Sequence, residues 1–224
     1  MSSDIVARIR AIRDSLPPDV DVLAAAKTRT ADEVRAAAEA GIEMVGHNYV
    51  REAAAMREAL EDAPPLRWHL IGHLQRNKAR KAVEIFDEIE TIDSERLARA
   101  VDRHCAGIGK VMPVLVEINS GREPNKSGVL PENARALIET ISVLEHIRVT
   151  GLMTMGPWTE DAESLRPCFK VTREVYDDLL AHPIARVEMS RLSMGMSDSW
   201  RVAVEEGANR VRIGTGIFGP REAK

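Results

Sequence analysis

Short apolar runs alternate with longer amphipathic stretches along this 224-residue chain, and that alternation limits the fold more than any other feature. Eight runs read as strands: VDVLAAAK (20–27), 43–46, RWHLIG (67–72), EIETID (88–93), VMPVLVEIN (111–119), HIRVTGLMTM (146–155), RVEMSRLSMG (186–195) and NRVRIG (209–214). Helices are predicted between them. One over 4–16 precedes the first strand, with Ile5, Ile9 and Ile12 on one face and Pro17–Pro18 as its stop. The others span 30–40, 49–60, 76–85, 94–104, 131–141, 160–180 and 197–206. Thr30 with Glu33 forms a capping box, Ser94 is an expected cap, and Ser197 or Asp198 is expected to cap the last helix.

Strand–helix alternation at this spacing implies βαβ units and a parallel sheet, and eight such units close into a barrel. The predicted fold is a single (β/α)8 TIM barrel with an extra N-terminal helix, one domain over residues 1–224. An open doubly wound sheet is the alternative, but it rarely needs eight strands in this length. Aromatic residues make up only 4% of the chain, so Ala, Val, Ile, Leu and Met must fill the core, as suits helices on a parallel sheet.

Net charge is −4, without the global signature of a nucleic-acid binder. Cys105 and Cys168 show no metal or disulfide spacing. The N-terminus lacks the basic and apolar regions of a signal peptide, and no early run could cross a membrane. A cytoplasmic protein is expected.

In a barrel, chemistry belongs at the C-terminal strand ends. Lys27 stands there after three alanines, where a desolvated amine can attack a carbonyl; a lysine pointing to water is the bland alternative. The loops Ser193–Asp198 and Gly214–Gly219 are rich in Gly, Ser and Thr, and follow the strands whose loops often hold phosphate in such barrels. In VRIG, alternation turns Arg212 inward if Val211 and Ile213 face the helices. A lysine, a phosphate cradle and an inward arginine suit one ligand class, a phosphorylated aldehyde or ketone. Pyridoxal 5′-phosphate is the most economical member. His69 and His73 are not a helical metal pair, and no metal site is expected. Lys126 either enters the site or is a solvated loop lysine. Met153, Met155, Met194 and Met196 are expected to fill the barrel top.

The segments AAAKTRT, VGHNYVREA, WHLIGHLQRNK, EINSGREPNKSG, LSMGMSDSW and VRIGTGIFG resemble the YggS/PROSC family of pyridoxal-phosphate homeostasis proteins, from about Ala24 to Arg221. The resemblance implies a barrel similar to the N-terminal domain of alanine racemase, with Lys27 as the Schiff-base lysine. It implies that Ser193, Ser197 and the amides of Gly214 and Thr215 hold the phosphate. Arg212 would face the pyridine nitrogen and Asn48 would line the site near the ring. His47 departs from the pattern, standing where relatives commonly carry Glu. The implied role is holding the cofactor and maintaining intracellular pyridoxal phosphate, with apoenzymes as recipients, as a monomer without strong turnover. A cation beside the ring nitrogen disfavours its protonation and weakens the ring as an electron sink. The rivals are an amino-acid racemase, which needs a second base such as Tyr49, and a lysine-dependent aldolase. Racemases of this fold draw that base, a tyrosine, from another domain, and a chain this short is not expected to carry one. Tyr176 and Tyr49 are both expected to pack.

Overall fold

In the computed structural model, which describes residues 2–159 and 161–220, the strands close into one parallel barrel in chain order, from β1 round to β8. The strands are β1 (Asp21–Ala25), β2 (Met44–His47), β3 (Arg67–Leu70), β4 (Glu88–Ile92), β5 (Met112–Glu117), β6 (Ile147–Met153), β7 (Arg191–Ser193) and β8 (Arg210–Ile213). Register runs Leu23 beside Met44 and Arg212, so β1 pairs with both neighbours and the ring is complete.

Helix α1 (Ser2–Ser15) precedes the barrel. It buries Ile5 and Ile9 and packs beside α2 (Ala31–Glu39) and the final helix, α9 (Thr215–Phe218). The Thr30–Glu33 capping box is present in both directions and starts α2 where two orphan amides need partners. Between α2 and α9 come α3 (Val50–Ala59), α4 (Ala79–Ile85), α5 (Glu95–Ala106), α6 (Ala134–Ile141), α7 (Arg166–Ala181) and α8 (Trp200–Glu205). α5 shows the packing logic: Leu97, Ala98, Val101 and Cys105 recur at three- and four-residue spacing and are all buried. The core between sheet and helices is mostly aliphatic, with many alanines.

Several boundaries differ from expectation. β7 is three residues long, because Arg186 turns the chain with a φ of 66° and residues 188–190 run beside β6 without regular pairing. The predicted helix start at Glu160 lies outside the described residues; α7 begins at Arg166 after a 3-10 turn, Ala162–Leu165, capped by Asp161. Ser199, not Ser197 or Asp198, occupies the cap of α8. Ser94 holds the cap position of α5, but its hydroxyl donates to Asp93 instead of serving the helix. The short α9 follows the eighth strand, beyond the helices predicted between strands. Among the described residues, no helix is long and apolar enough to cross a membrane.

Candidate functional site

Alternation along β8 turns Val211 and Ile213 out to the helices and both arginines into the barrel. Arg210 and Arg212 are each about 98–99% buried. Two buried guanidinium groups need compensation, and β4 supplies it from across the barrel. Its alternating Glu88 and Glu90 face inward, and Arg210 donates to both, reaching Glu90 at 2.9 Å. His69 Nδ1 lies 3.0 Å from Glu90 as well. Burial alone would raise the Glu90 carboxyl. The Arg210 charge, the His69 hydrogen bond and Arg212 outweigh it and hold the group well below the usual carboxylate range. His69, Glu88 and Glu90 lie close enough to hold a metal ion, but Arg210 supplies the positive charge among them.

Arg212 is held differently. It donates to the Ser193 hydroxyl at 2.7 Å and to the Thr154 carbonyl at 2.8 Å. Ser193 passes the chain on by donating to Glu90 at 2.7 Å. Ser193, expected among the phosphate-holding residues, is fully buried, and its hydroxyl is engaged by Arg212 and Glu90. It is the last residue of β7, faces inward, and already serves one donor and one acceptor.

The remaining candidates gather at the C-terminal mouth. Lys27 follows β1 by two residues and is half-buried, with its Nζ 5.9 Å from the centre of the Tyr49 ring. Tyr49 is 54% exposed, so the expectation that it packs fails. Tyr176, by contrast, is buried and donates to the Met189 carbonyl. Ser197 Oγ accepts from the amides of Gly214 and Gly216, each at 3.1 Å. This bond explains why Ser197 does not cap α8: its oxygen is committed to the neighbouring loop. Gly216 flanks the expected Thr215 and was not among the expected site residues. Side chains at these glycines would crowd the turn, since a Cβ on Gly216 would lie 2.8 Å from Ile213 and one on Gly214 3.2 Å from the Ala25 carbonyl. Asn48 is half-buried at the end of β2 and lines a groove with Tyr49, Gly72 and His73.

His47 is not at the rim. It faces the helices, is 1% exposed, and stacks on Trp68 with centroids 5.6 Å apart. Neither ring nitrogen has a partner, and burial pushes its pKa down from 6.5 to about 4. Met153 and Met194 are buried as expected, but Met155 is half-buried and Met196 exposed. Lys126 pairs with Glu123 and donates to the Gly156 carbonyl at 3.1 Å.

Sequence reasoning missed Glu88 and Glu90, although their two-residue spacing signals one strand face. It also missed Glu117, the last residue of β5. Glu117 is 7% exposed with Oε2 unpartnered, and burial with the nearby Asp93 raises its pKa to about 7 against the opposing pull of Arg212.

The profile of the alanine racemase N-terminal domain family matches residues 2–222. A pyridoxal phosphate homeostasis protein of Aquifex aeolicus is 39% identical over 90% of this chain and 87% of its own length. The chain belongs to the pyridoxal phosphate homeostasis family. Another member, from Pseudomonas aeruginosa, is 36% identical over 97% of this chain and 93% of its own. Among solved structures, PipY of Synechococcus elongatus with pyridoxal phosphate bound superposes with a TM-score of 0.88 at 37% identity, covering 96% of this chain and all of PipY. An alanine racemase of Clostridium difficile shares the fold, with a TM-score of 0.81 at 16% identity over 99% of this chain and 61% of the racemase.

Proposed function

We propose that this chain, as one domain over residues 1–224, binds pyridoxal 5′-phosphate at the barrel mouth and serves intracellular homeostasis of that cofactor. The family and the bound ligand of PipY support the reading. The observation in this chain that carries it is the division of labour between the two interior arginines. Arg210 is matched by carboxylates, whereas Arg212 is fixed by a hydroxyl and a carbonyl, both neutral. No carboxylate bonds it directly; Glu90 and Glu117 act on it only through space.

The residues fit the cofactor. Lys27 supplies the amine for covalent attachment. Ser197 with the Gly214–Thr215–Gly216 backbone forms an amide cradle whose acceptor is a single oxygen, the kind of place a phosphate oxygen suits. Arg212 offers its charge to the ring nitrogen, and Asn48 lines the wall. When bound, the cofactor supplies an electrophilic carbonyl carbon and an electron-withdrawing ring. Arg212 opposes protonation of the ring nitrogen, which supports holding and transfer to apoenzymes over sustained turnover. A cytoplasmic location accords with two free cysteines, and the protein is taken to act as a monomer.

Tyr49 beside Lys27 favours a second reading, a racemase, because it sets a phenol near the reactive amine. The test of the main reading is colour and covalent mapping. Purified protein mixed with the cofactor turns yellow, borohydride fixes a pyridoxyl group on Lys27, and Lys27→Ala abolishes both. A colourless mixture, or label on another lysine, overturns it. Sustained loss of optical activity from single enantiomers of amino acids would favour the racemase.

A further inference from the structure

A cavity of about 240 Å3 opens at the mouth between the ends of β3, β5 and β6. Most polar groups along its wall are already partnered. Asn119 exchanges hydrogen bonds with the Glu123 backbone, Ser120 bonds Thr154, and Ser127 bonds His73. Two buried carboxyl oxygens on the wall lack a hydrogen bond, Glu123 Oε2 and Glu117 Oε2; the first is matched by the Lys126 ammonium at 2.7 Å, the second by no cation in contact. A buried carboxyl oxygen left alone is costly, and Glu117 lies within electrostatic reach of Arg212, the residue assigned above to the cofactor ring.

Glu117 also belongs to the layer that fixes Arg212. It pairs in register with Met153, directly before Thr154, whose carbonyl accepts from Arg212 and whose hydroxyl donates to the Ile118 carbonyl. The charged and titratable groups facing it are Asp93 after β4, Arg212 on β8, His73 after β3, and the paired Lys126 and Glu123 in its own loop.

We propose that Glu117 is a further binding residue for the anionic cofactor, donating a hydrogen bond from Oε2 to it as a neutral acid and repelling it once ionised. This rests on the cofactor reading above. Burial and Asp93 raise the carboxyl to about 7, so both forms are populated near neutrality. An anion that prefers the neutral acid raises that pKa further and is released as pH rises. A one-unit rise on binding corresponds to about a tenfold loss of affinity from below to above the transition.

The test is the dissociation constant of pyridoxal phosphate across the range from about pH 6 to 8.5, for the wild type and Glu117→Gln. The amide is permanently neutral and keeps a donor. The cofactor's own titration affects both proteins equally, so the ratio of the two constants is the readout. That ratio is expected to rise about tenfold toward high pH. Parallel curves overturn the proposal and leave the cofactor reading intact. A wild type that binds no cofactor at any pH defeats both. Should Glu117→Gln fail to fold, carbon NMR of the wild-type Glu117 carboxyl decides: its pKa rises on cofactor addition, and an unmoved titration refutes the role.

Discussion

His47 offers a test that involves no ligand. Its ring is sealed between sheet and helices against Trp68, with two nitrogens unpartnered and a pKa of about 4 in place of the ordinary 6.5. A depressed histidine pKa means that the unfolded chain takes up a proton before the native protein does. Stability is therefore complete above about pH 6.5 and falls as pH drops toward 4. The full difference corresponds to about 3 kcal/mol, and at about pH 5 the loss is about 2 kcal/mol. His47→Leu removes the titration and buries no orphan nitrogen, so its stability near pH 7.5 should stay within about 1 kcal/mol of wild type. Denaturant unfolding of both proteins isolates the effect, because the other five histidines and the carboxylates titrate in each. Wild type minus variant should fall by about 2 kcal/mol between pH 7.5 and about pH 5. A difference that stays flat over that range would show that His47 is solvated or partnered in solution, and the reasoning would fail.

Glu90→Gln removes the carboxylate that Arg210, His69 and Ser193 share, leaving Arg210 undercompensated inside the barrel; a loss of about 3–5 kcal/mol is expected in chemical unfolding, and a loss under about 1 kcal/mol would contradict the network. Gly72→Ala would bring a Cβ within 2.6 Å of the Asn48 Cα, so it should displace Asn48 and weaken cofactor binding, as read by absorbance titration; unchanged binding would separate Asn48 from the site.

The barrel was legible because its signals are local and repeated. Thr30 and Glu33 fix the start of α2 by their own hydrogen bonds, and apolar spacing alone places α5. β7 was overextended because RVEMS carries strand-like residues through a turn that only tertiary structure reveals, at Arg186. The cap of α8 was misplaced by one or two residues for a similar reason. Two serines and an aspartate compete there, and Ser197 is claimed by amides seventeen and nineteen positions away. The inward turn of Arg212 followed from alternation. The same rule, applied to EIETID, would have placed Glu88 and Glu90 opposite it. At Ser193, nothing local reveals that the hydroxyl is used twice, by Arg212 and Glu90.

The interior network explains why this barrel carries charge where such barrels normally pack branched apolar residues. Buried ion pairs add little net stability over an apolar core, so stability alone does not account for two arginines, two glutamates and a histidine there. Orientation does. Arg210 bonds both carboxylates of β4, and Ser193 links Glu90 to Arg212 through an uncharged hydroxyl. Arg212 thus has its position fixed by hydrogen bonds from beneath and beside it, while its nearest partners are uncharged. Replacing Ser193 by an acid would remove the donor that Glu90 uses and set a second carboxylate against it. A hydroxyl at that position accepts from Arg212 and donates to Glu90 without adding charge.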